Sequence, residues 1–253
     1  MFEKWGRCTY DYSHNFDKNK AYIILHYSYA TKARLETLSE DEFNINCQKI
    51  NDSLLQIIKN YRIETLIFLS SGAIYNQNNP YAQNKINDEI YFSELSKKYN
   101  FNLMIPRIFN LGGPFINQSQ TYALNNFILR AKANKKIIIN ANNDVLRSYI
   151  HVNNLIDLFF KWIIDKDKET PLIFDVSHPN KIEIKDLAKK IIEVLKIDCE
   201  VISPNYNSQN PSDDYVGDSR KISSLCKRYQ IDLENLEQII LDTNLFLSNN
   251  QNQ

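Results

Sequence analysis

The chain has 253 residues, 43% of them hydrophobic and 12% aromatic, enough for one large domain or a core with a smaller appendage, and too apolar for a collagen-like, mucin-like or disordered chain. Thirty Lys and Arg against thirty Asp and Glu leave no net charge, so neither nucleic acid nor an anionic membrane surface is expected as a partner. Glycine is scarce: Gly6, Gly72, Gly112, Gly113 and Gly217 are the full set, against an average usage of about 7%, and no glycine-rich phosphate loop can be written with them.

Residues 1–20 lack sustained periodicity and read as a loop or a poorly ordered arm. Residues 21–27, AYIILHY, form an apolar run of β-formers, the pattern of a strand buried on both faces. Ser39 and Glu42 have capping-box spacing ahead of a helical pattern through Phe43, Ile50, Leu54, Ile57 and Ile58, ending near Tyr61. A second buried strand is expected at 65–70. Asn79 and Pro80 then suit an N-cap and first helical position for a helix over 81–98. A strand at 101–109 runs into the turn Gly112-Gly113-Pro114. Further on come a helix at 120–133, a strand at 136–140, an extended RSYIHV at 147–152, a helix at 153–164 and a strand at 171–176. A helix at 183–195, the extended segment 199–203, a short polar loop at 205–214 that is the one candidate linker, two helices to about 247 and a frayed SNNQNQ end complete the chain. Strand alternating with helix predicts a parallel, doubly wound α/β sheet with a smaller α/β part.

The four cysteines, Cys8, Cys47, Cys199 and Cys226, are far apart, without metal-like pairing, and read as reduced thiols; no metal is expected. With no apolar run near the roughly 18 residues that span a bilayer and no basic start followed by an apolar segment, a cytoplasmic protein is the expectation.

Ser71 follows the strand at 65–70, where an open α/β sheet forms its binding crevice at the carboxyl edge. Tyr81 and Lys85 lie four apart at the start of the next helix and so share one face. A lysine ammonium beside a phenol stabilises the phenolate and brings its pKa down from about 10 toward neutrality. A serine hydroxyl opposite could hold a substrate alcohol or carbonyl. Among fifteen tyrosines such a pair also arises by chance, as an ordinary exposed helix face.

The runs FLSSGAIY and YAQNK, then PRIFNLGGPF, RSYIHVNNLIDLFF, FDVS and YVGDSRK, resemble in this order the extended short-chain dehydrogenase/reductases, in particular their nucleotide-sugar epimerase, dehydratase and reductase branch. The resemblance spans about residues 21–245. It implies a Rossmann-like core over about 21–109 and 153–176, binding NAD or NADP, and a substrate-binding part over about 110–152 and 177–247 for a nucleoside-diphosphate sugar. It assigns Ser71, Tyr81 and Lys85 to catalysis, with Lys85 also holding the nicotinamide ribose. Tyr27, Ser28, Tyr29 and the backbone at Ile108 are implied to contact the cofactor, and Asn110 and Arg147 the sugar nucleotide, Arg147 by gripping its diphosphate. Blander roles stand beside these: Arg147 as a salt-bridge partner, Asn110 as a turn cap, His26 and His151 as packing or backbone-bonding residues.

Relatives that eliminate water carry a Thr-Asp-Glu type triplet where this chain has Ser71-Gly72-Ala73, so a 4,6-dehydratase is not expected and an epimerase or 4-keto-sugar reductase is. The family's opening strand, GxxGxxG turn and helix find no counterpart in residues 1–20, so the chain is expected to be truncated at the sheet, with dinucleotide binding weakened or lost. The loop between Tyr75 and Tyr81 is short for the family. NQNPSDD stands where a second diphosphate-binding arginine is common, and Cys47, with Asn46 beside it, falls where an asparagine near the nicotinamide is expected. Loss of the first strands would leave 21–27 as an apolar edge, to be covered by a second copy or a partner chain. The alternative to an enzyme is a non-catalytic sugar-nucleotide-binding or regulatory relative, or a fragment that no longer binds dinucleotide.

Overall fold

The computed structural model describes residues 17–27, 37–76, 79–115 and 122–250, with the side chains of Asn134 and Asn250 excepted. The expected arm over 1–20 lies outside these residues up to 16, and the expected fraying of the C-terminus lies outside them beyond 250. The chain divides into two compact units, one of residues 1–105 with 169–172, the other of 106–168 with 173–253. The helix at 153–164 and most of the strand at 171–176, grouped with the core by the sequence reading, fall in the second unit.

In the first unit, β1 (Ala21–His26) leads through α1 (Glu40–Asn60) to β2 (Arg62–Phe68), then a two-residue β3 (Ser70–Ser71), a 3-10 turn over Gly72–Tyr75, α2 (Pro80–Tyr99) and β4 (Asn102–Ile108). β1 pairs with β2 and β2 with β4, all parallel, so α1 and α2 are the crossovers of successive βαβ steps. The strands advance in one direction, and the crossover helices share a face: Asn84 Nδ2 donates to Asn44 Oδ1 at 2.7 Å. The described strands of this unit thus form one wing of the expected sheet. Its core is apolar and aromatic, with Leu66, Phe68, Phe92, Leu103 and Ile105 sealed from solvent.

β1 departs from the expectation of burial on both faces. It is exposed or half-buried along its length, with Ile23 37% exposed, because among the described residues it pairs with β2 alone. β2 also begins earlier than the apolar run suggested and ends at Phe68, separate from Ser70–Ser71.

The caps follow the sequence. Ser39 Oγ accepts from the Glu42 N–H and the Glu42 carboxylate accepts from the Ser39 N–H, closing the capping box of α1. Asn79 Oδ1 accepts from the Ala82 N–H at 2.9 Å with Pro80 in the first turn, and α2 ends at Asn100 in the left-handed region.

The second unit holds β5 (Leu111–Gly112), α3 (Ala123–Asn134), β6 (Lys136–Ile138), β7 (Val145–Arg147), β8 (Ile150–His151), α4 (Val152–Ile164), β9 (Leu172–Val176), β10 (Ile182–Glu183), α5 (Ile184–Leu195), β11 (Glu200–Ile202), β12 (Asp213–Tyr215), α6 (Arg220–Tyr229) and α7 (Leu236–Asn250). β9 starts in the first unit and β4 ends in the second. β7 is flanked by antiparallel β10 and parallel β12, while β11 pairs with β6 and β5 with β8. Gly113 sits at φ +103° with the His151 ring beneath it, so close that a Cβ there would overlap the imidazole.

The polar loop at 205–214 is not a linker. Asn207 N–H and Asn210 Nδ2 both donate to the Asn142 carbonyl, Asn143 Nδ2 donates to the Pro211 carbonyl at 2.7 Å, and the loop passes directly into β12. Cys47, Cys199 and Cys226 form no disulfide, and Cys8 lies outside the described residues. No helix among the described residues is long and apolar enough to cross a membrane.

Candidate active site

The first unit carries Ser71, Tyr81 and Lys85. α2 presents Ala82, Lys85, Asp88, Glu89, Phe92 and Leu95 as its buried face, at the helical spacing of three and four. A cap on Asn79 fixes where this helix starts. Tyr81, half-buried, is therefore in its first turn, with Lys85 one turn deeper and 3% exposed.

Burial of an ammonium costs several kcal/mol unless acceptors surround it. Lys85 Nζ donates to the Leu69 carbonyl at 2.8 Å and lies 4.7 Å from the centroid of the Phe68 ring. Burial pushes its pKa down to about 8, against the opposing pull of Asp88, Cys47 and Glu89, so it is a cation at neutral pH. Leu69 sits between β2 and β3, two residues before Ser71. Ser71 is 8% exposed, and its Oγ accepts from the Ala73 N–H at 3.2 Å, which caps the 3-10 turn. Lys85 thus bonds the strand end that carries Ser71 and lies one turn along from Tyr81.

His26, at the end of β1, packs against Phe68 and Phe92. Its Nε2 is sealed from solvent with no hydrogen-bond partner among the described residues. Burial, then the charge of Lys85, lower its pKa to about 4. Cys47 is buried on α1, close enough to Lys85 to influence its protonation, with Asn46 half-buried beside it.

Tyr27, after β1, is 55% exposed, and Ser28 and Tyr29 lie outside the described residues. Ile108, Asn110 and Arg147 belong to the second unit. Ile108 ends β4, half-buried. Asn110 Nδ2 donates to the Ser148 carbonyl at 3.2 Å, and its own carbonyl accepts from the Ile150 N–H, so it ties two backbone segments together. Arg147 donates to the Asp213 carboxylate at 2.8 Å, to the Asp213 carbonyl at 2.9 Å and to the Leu146 carbonyl, and its guanidinium lies 5.8 Å from the Tyr215 ring centroid. His151 caps α4 through Nδ1, which accepts from the Asn153 N–H, leaving Nε2–H to face the Asp242 carboxylate at 3.1 Å.

Ser70, Glu89, Asp88 and Asn51 are not among the residues expected from the sequence. Ser70 Oγ donates to Glu89 Oε1 and Asn51 Nδ2 to Asp88 Oδ1, each at 2.6 Å. Glu89 is eight residues beyond Tyr81 and four beyond Lys85, so the helical period itself puts it on their face.

A nicotinamide dinucleotide would meet here a buried lysine ammonium one turn from a phenol, and at the carboxyl end of β1 an imidazole nitrogen sealed from solvent with no hydrogen-bond partner among the described residues. A glycine-rich turn for its pyrophosphate is absent among the described residues, whose glycines are Gly72, Gly112, Gly113 and Gly217.

Over 195 residues the chain is 23% identical to dTDP-D-glucose 4,6-dehydratase of Homo sapiens, covering 72% of this chain and 55% of the relative. The chain spans about half the length of the curated relatives it first matches. Among solved structures it superposes on RMD from Pseudomonas aeruginosa complexed with NADPH, with a TM-score of 0.72 at 15% identity, covering 91% of this chain and 82% of that one. It also superposes on UDP-glucuronic acid 4-epimerase from Bacillus cereus, in complex with UDP-glucuronic acid and NAD, with a TM-score of 0.67 at 14% identity, covering 82% of this chain and 68% of that one. These likenesses carry the Rossmann-like fold. The model of the NAD dependent epimerase/dehydratase family matches residues 11–176, which include Ser71, Tyr81 and Lys85, and the chain belongs to that family.

Proposed function

We propose that this chain is an NAD(P)-dependent enzyme of nucleotide-sugar metabolism, an epimerase or a 4-keto-sugar reductase, with Tyr81 as acid/base, Lys85 as its electrostatic partner and Ser71 orienting the reacting oxygen. The observation that carries this reading is Lys85: a buried cation, bonded to the Leu69 carbonyl, one helical turn from Tyr81 and at the strand end that leads into Ser71. A positive charge held there favours the Tyr81 phenolate, so the phenolate can take a proton from a sugar hydroxyl and the phenol can return one to a ketone oxygen near neutral pH. A nicotinamide dinucleotide, when bound, supplies or accepts the hydride. Structural neighbours in complex with NAD, NADPH and a UDP-sugar support this class of cofactor and substrate. On this reading Tyr27, Ser28, Tyr29 and Ile108 meet the cofactor, and Asn110 and Arg147 meet the sugar nucleotide. Arg147 then approaches the diphosphate as half of an ion pair with Asp213.

The test is titration of the protein with NADH and NADPH, read by nucleotide fluorescence and by melting temperature, followed by assay with UDP- and dTDP-sugars. The expected result is saturable binding, and turnover that falls by about 10²–10⁴-fold in Tyr81→Phe with cofactor affinity retained. No response to millimolar cofactor would overturn the enzyme reading; stabilisation by a sugar nucleotide alone would mark a non-catalytic binder instead.

A further inference from the structure

Three ionisable side chains on consecutive turns of α2, Lys85, Asp88 and Glu89, are each no more than 6% exposed. Such groups persist in a core only where hydrogen bonds meet them. The bonds run in two directions. Asn84 and Asp88 reach α1, through Asn44 and Asn51. Lys85 and Glu89 reach the strand end, and in order: Lys85 takes the Leu69 carbonyl at 2.8 Å, Glu89 takes the Ser70 hydroxyl at 2.6 Å, and Ser71 comes next in the chain. An apolar face tolerates sliding and rotation, whereas bonds this short are directional and fix both. A leucine at 89 would fill the space without desolvating a charge, so what the carboxylate adds is direction.

We propose that Glu89, acting through Ser70, is a positioning residue: it locks the axial register of α2 against the 69–71 strand end and thereby sets the spacing between Tyr81 and Ser71. The inference rests on the roles given to Tyr81 and Ser71 above. On this proposal Glu89, 6% exposed and bonded to Ser70, acts through that hydroxyl and not on the reacting atoms.

The 253-residue wild type, Ser70→Ala, Glu89→Gln, Glu89→Leu and the Ser70→Ala/Glu89→Leu double variant are compared by steady-state kinetics and by amide hydrogen exchange over residues 69–73. A misplaced reacting pair lowers kcat and leaves binding intact, so Ser70→Ala and Glu89→Leu should each lose about 10-fold or more in kcat with KM changed by less than about 3-fold. Glu89→Gln keeps an acceptor oxygen for Ser70 and should recover most of the Glu89→Leu loss. The double variant should be no worse than the poorer single one, since both remove the same bond. Exchange over 69–73 should quicken by about 10-fold or more in Ser70→Ala. Kinetics and exchange unchanged in Ser70→Ala, a Glu89→Gln as impaired as Glu89→Leu, or KM rising in step with the fall in kcat would each overturn the proposal. If Glu89→Leu does not fold, Ser70→Ala and Glu89→Gln decide it alone. If wild type proves inactive, the functional reading falls, and the exchange measurement separately supports the register lock where it quickens or overturns it where it does not.

Discussion

Lys85 is where stability and the proposed chemistry oppose each other. Its pKa is about 8 in the folded chain against 10.5 for an exposed lysine, with burial the main cause. The unfolded chain therefore binds the proton more tightly, and between these two values it holds more protons than the native chain. Stability consequently rises with pH through that window, and below pH 8 the charged, buried side chain costs about 3 kcal/mol. Wild type should gain about 2 kcal/mol on Lys85→Met between pH 8 and pH 10, measured as the difference in urea unfolding free energy, and a constant difference would refute the assignment. His26 works at the acid end. Its folded pKa of about 4, against 6.5, means that native His26 stays neutral where the unfolded residue takes a proton. Its contribution is complete above pH 6.5 and is lost as pH falls toward 4, by up to about 3 kcal/mol. Replacement by Phe, which retains packing against Phe68 and Phe92, should flatten that acid limb in the same measurement.

At the scale of elements, α2 depends on its first residue pair. Asn79 supplies the acceptor for the Ala82 N–H, and Pro80 begins the helix with φ already set. Asn79→Ala should cost about 1 kcal/mol in global stability and loosen the turn that holds Tyr81, visible as faster amide exchange at 82–84. Both helices of the first unit were legible in the sequence because caps and apolar spacing are local signals: Ser39 with Glu42, Asn79 with Pro80, and Phe43 through Ile58. Three of the short strands were not. β3, β10 and β12 have two or three residues each, too few to show any period, and they exist through pairing with distant segments such as Asp213–Tyr215 against Val145–Arg147. The candidate site was legible only in its local pattern. Tyr81 and Lys85 announce themselves by helical spacing, but the Leu69 carbonyl that accepts from Lys85 and the Ser70 hydroxyl that donates to Glu89 come from another element and carry no sequence signature.

For the molecule as a whole, the order of strands and helices identified the fold, while the reaction proposed for it turns on a few atoms at one strand end. Four of the curated relatives are dTDP-D-glucose 4,6-dehydratases, at 23–24% identity, and similarity alone would suggest that reaction here. Elimination of water needs an acid for the departing hydroxyl and a base for the carbon-bound proton. The resemblance places that pair directly after the serine, where this chain has Gly72 and Ala73. Gly72 is buried, and the 3-10 turn closed by the Ser71–Ala73 bond holds its neighbours in place, so no flexible side chain at these two positions can substitute for a carboxylate. Incubation with dTDP-glucose and NAD should therefore yield no 4-keto-6-deoxy sugar, even where 4-epimerisation or reduction of a supplied 4-keto sugar is detected by mass and by proton resonance. Formation of the deoxy product by the wild-type chain would mean that carboxylates from elsewhere serve as the acid and base, and would return the chain to its dehydratase relatives. Loss of all three reactions in Tyr81→Phe would still assign the proton transfer to that phenol.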